Sequence, residues 1–266
     1  MNINKGLFIL FFIVTLQPVY GINRILNDSS RTMDFSNLRD TVFTLHQYYL
    51  ELNLTTQTGF LHSREGQTKS FGFSSGTDKL EDGVNTKEGL FVIQSKLPKW
   101  YSRQFDSTLM LNWMGFNFGI GLHALRTSGY YVYLGKRKSS HGCIRISKAT
   151  AKELYNIIDI GTPVLVDNGN SALAVAFADS TKKYLSLTYK EVYRNILYRL
   201  KQIYSGRYFI SKRPDILIDK LNVNHYGLPI GNSKKILKRQ AIKSMTDFIA
   251  AIIPPLKTMM MIKNNK

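Results

Sequence analysis

The chain holds one cysteine among 266 residues, Cys143, in the run Ser139-Ser140-His141-Gly142-Cys143-Ile144-Arg145-Ile146. Two hydroxyls and an imidazole stand just before the thiol, and a guanidinium stands just after it. A thiolate, not a thiol, attacks carbonyls, and a free cysteine with a pKa of about 8.5 is mostly protonated at neutral pH. A neighbouring histidine can take that proton, and the positive charge of Arg145 favours the thiolate. Gly142 lets the backbone turn sharply or approach a substrate closely. The backbone N–H groups of Gly142 and Cys143 are natural donors to an oxyanion at such a turn. The hydroxyls of Ser139 and Ser140 would line or support the pocket. A free cysteine is ordinarily a small buried apolar residue, but such a filler does not usually have polar and charged neighbours on both sides. The residue types point to nucleophilic attack on a carbonyl.

The elements that must hold this run are legible on both sides of it. Ser147 reads as the N-cap of a helix over residues 149–155, so Cys143 is expected on a tight turn between a strand and that helix. Upstream, residues 48–54 and 59–62 read as strands followed by a turn at Glu65-Gly66, and residues 70–74 alternate again. Residues 77–85 are polar and contain glycine, so they read as a loop before a strand at Leu90-Phe91-Val92-Ile93. The window 97–118 holds both tryptophans, and at least half of its rings are expected to fill the core. Within it, residues 109–113 and 118–122 predict a hairpin with Gly115 in its turn, and His123 follows directly on the second strand. Short strands at regular intervals favour a mainly β sandwich or barrel over a doubly wound sheet. Neither a Gly-rich phosphate loop nor a dinucleotide fingerprint is present.

Ser140-His141-Gly142-Cys143-Ile144-Arg145 resembles the signature of the L,D-transpeptidases of bacterial cell walls, the YkuD-type catalytic domain. That signature includes an upstream histidine, and His123 lies eighteen residues before His141. Thr86-Lys87-Glu88-Gly89-Leu90-Phe91 is similar to the family's Thr-Pro-x-Gly-x-Phe turn. Gly161-Thr162-Pro163-Val164-Leu165-Val166 is similar to its closing strand, and Leu134-Gly135 is also in place. The resemblance covers roughly residues 40–168. It implies that Cys143 is the nucleophile and His123 the general base, oriented by a backbone carbonyl, with His141 as a supporting residue. Ala124 stands where family members often have Gly, a small departure, since a carbonyl needs no glycine. The aromatic hairpin would form a flap or wall beside the nucleophile.

Arg145 has two readings. It holds a substrate carboxylate, or it braces the loop against backbone oxygens. Bracing is favoured, on the expectation that a locally extended motif turns Arg145 away from Cys143. A zinc site needs three or four ligands at suitable spacing. Five His and one Cys supply them only from scattered places, so no metal or organic cofactor is expected.

The resemblance implies a cysteine acyltransferase acting on peptidoglycan stem peptides, cross-linking them or attaching a wall-linked protein to them. Resolution of the thioester by water would make the same site an L,D-carboxypeptidase. The reading from another class is a non-catalytic cell-wall-binding module. Protein attachment, trimming and D-amino-acid exchange would all use the same chemistry.

Met1 to Gly21 reads as a signal peptide, with Lys5 ahead of the apolar run of residues 7–14, which is too short to span a bilayer. An uncleaved anchor is the other reading. Export to the periplasm or cell envelope is expected, and it excludes nucleic acid as a partner. Residues 22–39 are a lead-in. The formal charge is +18, and from Gly169 onward there are 18 Lys or Arg against 5 Asp or Glu. Residues 169–266 are therefore expected to be a basic, partly helical C-terminal extension of unknown role, able to contact an anionic wall or membrane surface. Within it Thr188 and Glu191 have capping-box spacing. Val192, Ile196, Leu197, Leu200, Ile203 and Tyr204 mark one helix face, with Gly206 as its stop. A second helix is expected from Ile236 to Ile253.

Overall fold

The computed structural model describes residues 39–104, 107–185, 187–205 and 215–236. The signal peptide, most of the lead-in, Phe105, Gly206 and residues 237–253 of the expected second helix lie outside the described residues.

Strand β1 (Asp40–Thr44) is followed by the antiparallel meander β2 (Tyr48–Asn53), β3 (Thr58–Ser63) and β4 (Thr68–Gly72). Alternation explains the meander: Leu50 and Leu52 point inward from β2 and Leu61 from β3, while their neighbours stay half-exposed. Next come β5 (Gly89–Val92), β6 (Ser95–Tyr101), β7 (Leu109–Asn117) and β8 (Ile120–Leu125). A 3-10 turn at Gly129–Tyr133 leads to the two-residue strand β9 (Ile144–Arg145), then helix α1 (Lys148–Ile157) and β10 (Pro163–Asp167). Ser147 caps α1 as expected, its Oγ accepting the Thr150 N–H at 3.1 Å. Strand β11 (Leu173–Phe177) and helix α2 (Tyr189–Tyr204) follow.

The strands make a five-stranded sheet in the order β4-β3-β2-β10-β5, a four-stranded sheet β6-β7-β8-β9, and a parallel pair β1-β11. β10 lies inside the large sheet, parallel to β2 and antiparallel to β5. Its five residues are all buried because both faces of the sheet are covered. Val164 and Val166 enter a core shared with the four-stranded sheet and α1, together with Phe91, Met114, Ile144 and Leu154. Leu165, Leu90 and Val92 point the other way, into a second core with Val42, Leu173, Val192, Ile196 and Leu200. The result is a mainly β sandwich with a helix after the cysteine run, as the sequence implied.

The second core gives residues after 169 a structural place. β11 pairs with β1, Leu228 bridges to Leu90 at the edge of β5, and Phe43 donates its N–H to the Ile216 carbonyl and accepts the Ile218 N–H, both at 2.8 Å. Helix α2 has its capping box, the Glu191 carboxylate accepting the Thr188 N–H at 2.7 Å. Its expected face needs correction at Leu197, which is exposed, whereas Arg199 is buried and holds buried Asp40 through Nη2–Oδ1 at 2.8 Å. Leu197 is one residue round from Ile196, outside the stripe that packs inward. A long guanidinium reaches a carboxylate that periodicity cannot foresee.

The hairpin expectation is corrected too. The β7–β8 turn is at Phe118-Gly119, and Gly115 lies inside β7, paired with Gly121 and Ser95 beside a register shift. A Cβ on Gly121 would stand 2.6 Å from the Met114 carbonyl oxygen, so these glycines allow close strand approach rather than a turn. Of the aromatic window, Trp113 and Phe116 are buried, while Trp100, Tyr101 and Phe118 are exposed. Among the described rings two of five fill the core, because β6 is an edge strand and Phe118 sits on the turn.

Candidate active site

His123 lies within β8, not after it, and is held beside the cysteine run by parallel pairing with β9. Leu122 is opposite Ile144 and His123 opposite Arg145, and the Ile146 N–H donates to the His123 carbonyl at 3.0 Å. The Tyr130 hydroxyl fastens the far ends of these strands, accepting the Leu125 N–H at 3.1 Å and donating to the Ile146 carbonyl at 2.7 Å. Cys143 immediately precedes β9, so β9, and not a turn alone, separates it from α1. That corrects the expected strand–turn–helix order.

The loop before Cys143 is fixed by residues 74–86, where the alternating run of residues 70–74 ends. The Ser139 and Ser140 N–H groups both donate to the Ser75 carbonyl at 3.1 Å. The Thr77 N–H donates to the Ser140 carbonyl at 2.9 Å, and the Val84 N–H to the His141 carbonyl at 3.1 Å. Ser74 and Arg145 exchange two backbone hydrogen bonds of 2.9 Å. Buried Thr86 bridges the two segments: its Oγ1 accepts the Gly76 N–H at 2.9 Å and donates to the Gly142 carbonyl at 2.6 Å. Gly142 has φ +150°, and a Cβ on Gly76 would be 2.4 Å from the Gly142 Cα, so the backbones touch without side chains between them. Sequence reasoning passed over Ser75 and Gly76, and saw Thr86 only as part of a motif. The one signal available was a Ser-Ser-Gly cluster where the strand pattern stopped.

Ser140 closes the loop on itself. Its Oγ donates to the Cys143 carbonyl at 2.5 Å and accepts the Gly142 N–H at 3.1 Å. The Gly142 N–H is thus engaged, which removes it from the two expected oxyanion donors. Ser139 Oγ pairs with Ser74 Oγ at 2.8 Å, supporting the loop from behind.

Cys143, His123, Arg145, His141, Ser140 and Gly142 all line one cavity of about 630 Å³. Its other walls are Asp82 and Val84 from the preceding loop, Trp100 from β6, and the hairpin residues Asn117, Phe118 and Gly119. Arg145 both braces and lines, its Nη1 donating to the Ser139 carbonyl at 2.9 Å. The expectation that it points away from Cys143 is wrong for a physical reason: in an extended chain residues two apart share a face.

The electrostatics of the pair depart from the simple expectation. Burial pushes the Cys143 thiol up to about 11, and the Gly121 backbone amide and the Arg145 charge offset only part of this. The Sγ–H points at the Gly119 carbonyl, 3.7 Å away. Arg145 therefore favours the thiolate, but desolvation wins. His123 is buried and held down to about 4 by desolvation, against the opposing pull of its backbone hydrogen bond and with help from Arg145. Its Nδ1 lies 3.1 Å from the Ala124 carbonyl. A carbonyl only accepts, so Nδ1 carries the proton and Nε2 has the free lone pair. The site rests as a neutral thiol and a neutral imidazole with one defined tautomer. Among the described residues no three His, Cys, Asp or Glu side chains converge as metal ligands.

Residues 47–166 match the family model of the L,D-transpeptidase catalytic domain, YkuD. No curated protein matches the chain. Among solved structures, the chain is similar to an L,D-transpeptidase from Mycobacterium smegmatis, with 20% identity, 45% of this chain and 58% of that one covered, and a TM-score of 0.40. It is also similar to the L,D-transpeptidase Yku from Stackebrandtia nassauensis, at 24% identity, 57% and 70% coverage and a TM-score of 0.40. A third is L,D-transpeptidase 3 from Mycobacterium tuberculosis with a faropenem-derived adduct, at 19% identity, 46% and 60% coverage and a TM-score of 0.38. The chain thus spans less than two thirds of the Mycobacterium smegmatis protein it resembles.

Proposed function

We propose that this chain, whose residues 47–166 belong to the L,D-transpeptidase catalytic domain family, is a cysteine acyltransferase of peptidoglycan working in the cell envelope. The observation that carries the reading is the placement of Cys143 and His123 on one cavity, with His123 Nδ1 committed to the Ala124 carbonyl. Cys143 Sγ attacks the carbonyl of the third residue of a donor stem peptide. The amide bond to the terminal D-alanine breaks, and the acyl group stays on sulfur as a thioester. His123 Nε2 takes the thiol proton and returns it to the departing amine.

Because both groups rest neutral, the thiol gives up its proton as it attacks rather than beforehand. Such a site spares a lone thiol from oxidation, since the reactive thiolate is scarce until a substrate enters. In the second half an amine from another stem, or from a wall-linked protein, displaces the thiol, and His123 relays the proton back to sulfur. Water in place of the amine gives L,D-carboxypeptidase activity from the same residues. Arg145 and Ser140 act as positioning residues here, since they hold the Ser139 and Cys143 carbonyls respectively. His141, lining the same cavity, supports the site.

Whole-protein mass spectrometry tests the proposal. A purified disaccharide-tetrapeptide should leave an adduct on Cys143 smaller than the donor by one D-alanine. Absence of that adduct from the native chain, or its persistence in Cys143→Ala, would overturn it. Export rests on the N-terminal sequence, and is checked by fractionating cells for the full-length and shortened forms.

A further inference from the structure

A second concavity lies outside the cysteine site and is built mostly from residues beyond the family domain. It is an open groove of about 450 Å³ lined by Lys87, Tyr189, Lys190, Tyr193, Arg194 and Tyr226. Tyr189 and Tyr193 present their rings 5.9 Å apart, and the Tyr189 hydroxyl donates to the Gly227 carbonyl at 3.0 Å, closing the floor. Leu228 is bridged to Leu90 of β5, so the groove wall is part of the sheet edge and not a loose tail. Lys87, Lys190 and Arg194 form no ion pair within 4 Å among the described residues. Glu191, between Lys190 and Arg194 on α2, is taken up by the capping box, although Arg194 lies close enough to lower its pKa.

The groove adjoins the catalytic cavity. Phe118, on the cavity wall, meets Tyr226, on the groove wall, edge to face at 4.9 Å. The contact is pinned from below, since Asn117 Nδ2 donates to the His225 carbonyl at 2.7 Å. A polymer lying over the Phe118–Tyr226 ridge would touch both sites at once. Three cations select carboxylates, and three partly exposed tyrosines offer flat faces to sugar rings or peptide planes at low entropic cost.

We infer that this groove binds a carboxylate-bearing stretch of peptidoglycan, a stem peptide with its attached sugars, while the reacting stem occupies the Cys143 cavity. The inference rests on the acyltransferase reading and gives that site a second, chain-specific substrate contact. Lys87, Lys190 and Arg194 take the carboxylates, and Tyr193 and Tyr226 pack against the neutral parts.

The test uses the full chain, native and with Lys190→Glu plus Arg194→Glu, both on the exposed side of α2. Acylation of Cys143 is followed by mass spectrometry with two donors, a small carbapenem and a disaccharide-tetrapeptide. Reversing two exposed charges should weaken the response to the muropeptide about tenfold more than the response to the carbapenem, and added salt should narrow the difference. Equal losses on both donors, or none on the muropeptide, would overturn the groove assignment while leaving the cysteine chemistry standing. Failure of the native chain to acylate with either donor would instead remove the acyltransferase reading. A muropeptide with amidated carboxylates separates the parts: it should bind native and variant chains alike. A persisting difference would overturn the carboxylate assignment.

Discussion

Thr86→Val is the most direct probe of how the cysteine loop is held. The substitution keeps the shape of a buried side chain and removes only its hydroxyl. Two buried backbone groups then lose their partner, the Gly76 N–H at 2.9 Å and the Gly142 carbonyl at 2.6 Å. Each stranded group costs about 1–3 kcal/mol, so the loss should be about 2–6 kcal/mol in all. At roughly 2–4 °C per kcal/mol for a domain of this size, thermal unfolding should move down by about 4–24 °C. Acylation of Cys143 should fall as well, since the Gly142 carbonyl sits one residue from the nucleophile. The control is Thr86→Ser, which keeps the hydroxyl and should remain within about 1 kcal/mol of the native chain. A second control, Ile196→Val in the other core, costs about 0.5–1.5 kcal/mol away from the site and should unfold earlier without slowing acylation. If Thr86→Val melts within 2 °C of the native chain, taking ~2 °C as the shift from less than 1 kcal/mol, the bridge is not what holds the loop. The same holds if the serine variant is damaged equally.

Four further outcomes follow from the site and the second core. His123→Ala should slow single-turnover acylation by at least about 10²-fold and by far more than His141→Ala, and the opposite ranking would reverse the roles of base and support. With the thiol near 11, alkylation of Cys143 by iodoacetamide in the resting protein should rise about tenfold per pH unit from pH 7 to 10, and a plateau below pH 9 would contradict the neutral resting thiol. With His123 near 4, its imidazole stays neutral and able to accept a proton throughout mildly acid solution. The acid limb of acylation should therefore have its midpoint near pH 4, and a midpoint near 6.5 would show an exposed histidine doing the work. Truncation after Asn168 should give insoluble or unfolded protein, because it uncovers Val42, Leu90, Val92 and Leu165 together. A soluble truncation with normal carbapenem acylation would mean the second core is dispensable.

Local chemistry made much of the site readable in advance. The single thiol, the histidines at 123 and 141, Gly142 and Arg145 are covalent facts of the chain, and Ser147 and the Thr188–Glu191 pair announce helix starts because capping is a contact between near neighbours. The period-two strands of the meander were visible for the same reason. What stayed hidden depends on groups far apart in sequence. The Ser75 and Thr86 contacts with the cysteine loop span more than fifty residues, and no pattern within a window reports them. Which way desolvation and Arg145 balance on Cys143 is a property of the assembled cavity, not of the motif.

The second core shows the division most clearly. Leu90-Phe91-Val92-Ile93 and Val164-Leu165-Val166 are apolar at every position, which means cover on both faces of the sheet. That requirement was present in the sequence, yet nothing in it said that β1, β11 and α2 would supply the cover. Only the tertiary structure decides that, because apolar burial is non-directional and any matching face would satisfy it. The partner is chosen by topology, through β1–β11 pairing and the Arg199–Asp40 contact, which residue types alone do not encode.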